Sequence, residues 1–101
     1  MDTTQLIADV KARFAHNSAK AYLKDKYQSK LIVAEQEGLW TASTSLISFL
    51  SSIDVEYCVI IDNFDNPVSV NVSELREKLV YTYMTVMNEW CAEWEAVEGK
   101  R

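Results

Sequence analysis

The chain has 101 residues, 49% apolar and 25% charged, with two Gly and one Pro. That composition builds one folded domain and excludes a collagenous, linker-like or disordered chain. No apolar run approaches the ~18 residues that cross a bilayer, and the acidic, polar start Met1-Asp2-Thr3-Thr4 predicts no secretory signal.

The net charge of −5 is unevenly placed. Residues 1–30 carry six Lys/Arg against three Asp, residues 31–72 carry six carboxylates and no Lys or Arg, and residues 73–101 carry four basic and six acidic groups. An acidic chain repels phosphate at long range, so a sequence-blind nucleic-acid coat is disfavoured, while the basic first third leaves room for a local patch. Cys58 and Cys91 lie far apart and read as two reduced, packed thiols of a cytoplasmic protein.

In chain order, Thr3 or Thr4 can cap a first helix that sets Leu6, Val10 and Phe14 on one stripe. His16-Asn17-Ser18 breaks the pattern, and Ser18 can cap a second short helix through Tyr27, so residues 1–18 read as an arm and 19–101 as the domain. Lys30–Glu35 and Leu39–Ala42 flank Gln36-Glu37-Gly38 as a hairpin, with Gly38 expected at the positive φ. Residues 43–52 suit either a short helix capped by Thr44 or Ser45 or a bent strand. The strongest alternation follows: Val55, Tyr57, Val59 and Ile61 on one face, Glu56, Cys58, Ile60 and Asp62 on the other. After the loop Asn63–Pro67, Val68, Val70 and Val72 alternate with Ser69, Asn71 and Ser73, giving a second hairpin.

The last element is a long helix over about 73–98, capped by Ser73 or by a box of Asn71 with Glu74. Leu75, Leu79, Tyr83, Val86, Trp90, Trp94 and Val97 recur at spacings of three and four; Val80, Met84, Met87 and Cys91 widen the stripe, and Glu77, Glu89, Glu93 and Glu98 lie mostly off it. About 25 residues make ~37 Å of helix, against a radius of gyration near ~13 Å for a compact domain of this size. The helix is therefore expected to overhang its own sheet and be covered by another copy. Tyr83, Met87, Trp90 and Trp94 are the candidate oligomer or partner interface.

Signs of catalysis are few. His16 stands alone, no zinc spacing occurs, and neither G-x-x-x-x-G-K-[ST] nor G-x-G-x-x-G is present. Asp62 and Asp65 with their Asn neighbours lack the Gly and distal Glu of a calcium loop and read as turn-builders. Glu35 with Glu37 reads as a solvated pair beside a turn. No enzyme, cofactor or metal is expected. Lys20, Tyr22, Lys24, Lys26, Tyr27 and Lys30 interleave cations with aromatic rings, a composition suited to phosphate contact and base stacking.

The stretches Lys26-Tyr27, Lys30–Gln36, Gly38-Leu39-Trp40, Leu46–Leu50, Val59–Asp62, Asn66-Pro67-Val68 and Val70 resemble a family of uncharacterised Sm-like (LSm-type) proteins found in T4-like phages of marine cyanobacteria and in ocean metagenomes. The resemblance spans about residues 19–98. It implies an α+β fold: a small, strongly bent antiparallel sheet or Sm-like barrel with an N-terminal helix and a long C-terminal helix. Strands are then expected near 29–36, 39–43, 45–51, 55–62 and 67–72. It also implies a closed homo-oligomeric ring, pentamer to heptamer, in the cytoplasm of an infected cell, and binding of RNA or DNA. Asp62-Asn63-Phe64-Asp65 loosely resembles the loop of the first Sm motif, so Asn63 and Phe64 join the binding candidates; the Arg-Gly step usual in a late Sm loop occurs nowhere in the chain. The alternative is a scaffold or adaptor that binds a host or phage protein through the aromatic C-terminal helix.

Overall fold

A computed structural model describes residues 3–98, with side chains from Asn17 onward. The element order is α1 (Thr3–Lys30), β1 (Ile32–Glu35), β2 (Gly38–Thr41), α2 (Thr44–Ser52), β3 (Tyr57–Ile61), β4 (Pro67–Asn71) and α3 (Val72–Glu98). The chain is thus α+β, with an N-terminal helix and a long C-terminal helix as expected. None of its described helices is long and apolar enough to cross a membrane.

α1 passes through residues 16–18 without the expected break. Residues 1–30 contain no Gly or Pro, and Asn17 and Ser18 are only mildly poor helix formers among Ala15, Ala19 and Ala21. The Thr3 or Thr4 cap, the Leu6/Val10/Phe14 stripe and the His16 side chain lie outside the described side chains.

The largest departure is residues 44–52. Where the Sm-like reading needs a strand over 45–51, the chain forms α2. Ser43, rather than Thr44 or Ser45, is the cap: its hydroxyl accepts from the Leu46 amide at 3.2 Å. Leu46, Ile47 and Leu50 then turn toward the core, Leu50 completely. A cap plus apolar residues at i, i+1 and i+4 favours a helix over a bent strand. The four strands that remain form two separate antiparallel pairs, β1–β2 and β3–β4, and among the described residues they do not close a barrel.

In the first hairpin Glu35 stands opposite Gly38 across a two-residue turn. Gln36 (φ 48°) and Glu37 (φ 65°) take the left-handed positions, and no glycine does. Gly38 serves a different purpose. A Cβ there would lie 2.4 Å from Cζ2 of Trp40, whose ring is 1% exposed and donates from Nε1 to the Glu35 carbonyl at 2.8 Å. The indole folds back over its own turn, and only glycine leaves room for it.

The helices form the other layer. α3 buries Val72, Leu75, Leu79 and Val86, with Tyr83, Met87, Trp90, Trp94 and Val97 packed against the same core, the stripe expected from spacing. Val80, Met84 and Cys91, expected to widen that stripe, are exposed. The far half of α3 is covered within the chain. α1 runs antiparallel to it: Lys26 meets Glu93, Lys30 meets Glu89, and Tyr27 stacks on Trp90 with ring centroids 5.9 Å apart. The expected overhang of α3 is thereby corrected. By this register it is α1 whose first turns run past Glu98, which stretches the molecule to 65 × 24 × 20 Å, with a radius of gyration of 19.3 Å.

Gly38→Ala should destabilise the fold by about 1–3 kcal/mol, because the added methyl must displace a close-packed indole. Urea denaturation followed by tryptophan fluorescence measures the loss.

Candidate functional site

The basic segment predicted to hold nucleic acid divides into two groups. Tyr27 is 4% exposed, and its ring lies nearly parallel to Trp90, at an interplanar angle of 10°. It has no face to offer a base. Lys26 donates from Nζ to Glu93 Oε1 at 2.8 Å, and Lys30 Nζ lies 3.5 Å from Glu89 Oε2. Both ammonium groups also lie over the Tyr27 ring, at 5.2 and 4.9 Å from its centroid. The hydrogen bond with Glu93 raises the Lys26 pKa and holds the Glu93 carboxyl below its ordinary value. These residues fasten α1 to α3. Lys20, Tyr22 and Lys24 are exposed. Helical spacing puts Lys20 and Lys24 on one face and Tyr22 on the opposite one, so the cations and the free ring do not converge.

Asn63 and Phe64 sit in the β3–β4 loop, which Asp62 organises. Oδ1 accepts from the amides of Phe64 (2.9 Å) and Asn66 (3.0 Å), and Oδ2 from the amide of Leu39 in β2 (3.2 Å). The Asp62 backbone amide bonds the Asn66 carbonyl, and its carbonyl accepts from Asp65, which takes φ 63°. These amides stabilise the carboxylate and lower its pKa, the Asn66 bond most. The turn-building reading of Asp62 therefore holds. Asn63 is structural as well: its amide bonds the Leu39 carbonyl at 2.7 Å and its side chain donates to Thr41 Oγ1 at 2.9 Å. Phe64 is 69% exposed. It borders a cleft of about 520 Å³ lined also by Glu35, Gln36, Glu37 and Leu39. Asp62 lines that cleft, but both its oxygens are spent on amides. No cluster of three or more metal-binding side chains occurs among the described residues.

The interface candidates on α3 are partly buried within the chain. Tyr83, Met87, Trp90 and Trp94 all pack against the core. Cys91 Sγ donates to Glu95 Oε1 at 3.5 Å, and this carboxylate pushes the thiol pKa up.

The most exposed apolar stripe lies on β3 instead. Val55, Tyr57, Val59 and Ile61 are 53%, 60%, 64% and 61% exposed. Cys58 and Ile60 face the other way, toward the core, paired with Val70 and Val68. The bonds Val72 N–H to Glu56 O and Asp62 N–H to Asn66 O set the phase of the ladder. Even-numbered residues of β3 bond β4; Tyr57, Val59 and Ile61 direct their amides and carbonyls away from it. Among the described residues, no backbone bond satisfies those three outward pairs.

β4 differs. Its outward positions are Pro67, Ser69 and Asn71 by the same phase. Pro67 has no N–H to give, and Asn71 is taken by the Gln36 carboxamide, which accepts from its amide at 2.6 Å and donates to its carbonyl at 3.2 Å. One edge of the hairpin is blocked at both ends, with only Ser69 left outward, and the other is open along its length. The alternation in the sequence groups these side chains on one face of β3 and does not assign that face to solvent. The available signal was that both faces of β3 are apolar, which a two-layer domain cannot cover alone.

No protein-family model, curated protein or solved structure matches this chain.

Two outcomes follow. Tyr27→Ala should cost about 2–4 kcal/mol of stability, while Tyr22→Ala changes it by less than ~0.5 kcal/mol; paired urea titrations decide. For Asp62, the folded pKa lies below the ordinary value of 3.8. Its contribution is complete above that value and lost as pH falls through the folded one. Asp62→Asn should therefore be less stable than the parent at pH 7, the gap narrowing below about pH 4 in urea midpoints.

Proposed function

We propose that this chain is a non-enzymatic protein-binding module that works by strand addition at the outer edge of β3. The observation that carries this reading is the coincidence of three open backbone pairs with three exposed apolar side chains at Tyr57, Val59 and Ile61. An exposed apolar edge strand templates another strand: main-chain bonds supply affinity and alternate side chains supply selectivity. Natural domains ordinarily blunt such an edge with Lys, Pro or a covering element. Here that treatment is given to β4, through Pro67 and Gln36, and withheld from β3.

This places the interaction on β3 rather than on the aromatic end of α3, where Trp90 is stacked on Tyr27. It also sets nucleic-acid binding second. Tyr27, Lys26 and Lys30 support the α1–α3 contact, and the stretch 31–72 that contains β3 holds six carboxylates and no Lys or Arg.

Selection from a random-peptide display library tests the reading. Bound peptides should be extended, with apolar residues at alternate positions. Val59→Pro should abolish their binding, because it removes an outward N–H while sparing the β3–β4 ladder. Equal binding to Val59→Pro would contradict strand addition. Salt-sensitive binding of single-stranded RNA, lost in a Lys20→Glu, Lys24→Glu variant, would restore the nucleic-acid reading.

A further inference from the structure

Resting on that reading, we infer that the strand which adds to β3 is β3 of a second copy, giving a two-fold dimer whose axis passes beside Val59. The open stretch is bounded at one end, where the Asn63 amide is already given to Leu39 of β2. Its outward groups are those of residues 57, 59 and 61, a set symmetric about 59. Antiparallel pairing on that centre sets Val59 opposite the second copy's Val59, and Tyr57 opposite its Ile61. Each outward amide and carbonyl then finds a partner. Aromatic with β-branched, and β-branched with β-branched, are favourable cross-strand pairs.

The blocked edge selects the symmetry. A ring passes from one edge of each copy to a different edge of the next, and so needs two open edges. β4 has only Ser69 left outward, because Pro67 lacks a donor and Gln36 occupies Asn71, and one open residue is too short to seat a strand. A two-fold contact uses the same edge twice and needs only β3. The pentamer-to-heptamer expectation is replaced by a dimer with a continuous β4–β3–β3–β4 sheet.

One Tyr, one Ile and two Val, each more than half exposed, make a stripe on the order of 400 Å², within the ~300–600 Å² of the largest patch a monomer ordinarily leaves open. With the strand backbone added, the interface falls in the small class, below about 1,200 Å² in total. Charge adds a signature. The register brings Glu56 beside the second copy's Asp62, so dimerisation should tighten as salt screens the carboxylates, the opposite of phosphate binding.

Sedimentation equilibrium of the full chain from about 2 to 200 µM, at low and high salt, reads this directly. The parent should pass from monomer to dimer and tighten several-fold with salt. Val59→Lys, at a position 64% exposed in the monomer, should keep the circular dichroism spectrum and stay monomeric. Register is read with Val59→Cys in a Cys58→Ser, Cys91→Ser background. Facing residues there have Cα atoms about 5.5 Å apart, within disulfide reach, and mild oxidation should cross-link it far faster than Ser69→Cys in the same background. A parent monomeric throughout overturns the dimer, and so does a dimer indifferent to Val59→Lys or a trimer or larger ring. Display peptides that still require an intact Val59 would in those cases leave strand addition standing; their absence would remove both.

Discussion

Two hydrogen bonds from one side chain organise the domain. The carboxamide of Gln36, at the tip of the first hairpin, pairs with both backbone groups of Asn71 as a neighbouring strand would. Gln36 and Glu37 both hold left-handed backbone to do so, at a cost of roughly 1–2 kcal/mol per residue. The bond joins the two hairpins and closes the β4 edge. It also commits the Asn71 amide, so the capping at the start of α3 runs one way: Asn71 Oδ1 accepts from Glu74 at 3.0 Å, without the return bond of a capping box. At the other end of the hairpin, Asp62 and Asn63 grip Leu39. Held at these two points, the first hairpin leaves the outward groups of β3 from Tyr57 to Ile61 untouched.

The elements with strong periodicity were legible in the chain. Alternation from Val55 to Val72 marked the second hairpin, and the three-and-four spacing from Leu75 to Val97 marked α3 with its buried stripe. Where local preferences compete, the residues alone were insufficient. Residues 43–52 suit both helix and strand, and the helix prevails through the Ser43 cap and the burial of Leu50. The turn at 36–38 contains a glycine, so positive φ was assigned to it. The constraint came from Trp40, five residues beyond Glu35, whose indole requires the glycine to lack a side chain. Helix pairing was also out of reach. Nothing local to Trp90 says that Tyr27 will cover it, and the length of α3 alone therefore suggests an overhang that α1 in fact covers.

The candidate site followed the same division. Lys26, Tyr27 and Lys30 have the composition of a nucleic-acid patch, and their sequence neighbours do not include the Glu89, Trp90 and Glu93 that occupy them. Composition identifies groups able to do chemistry; it does not say which are already engaged. The β3 stripe presents the converse. Its apolar residues are what a core strand would have, and only the phase of the ladder and the closure of β4 identify them as an open edge. Function in this account follows from an asymmetry between two strands of one hairpin, with self-association as its simplest consequence.

The most direct measurement is residue-resolved amide exchange in dilute solution, below the concentration at which copies associate. The amides of Cys58 and Ile60, bonded to β4, should be protected, while those of Tyr57, Val59 and Ile61 exchange nearly as fast as an open chain. Equal protection of all five amides would mean that β3 is covered from within the molecule, and the open-edge account would fall.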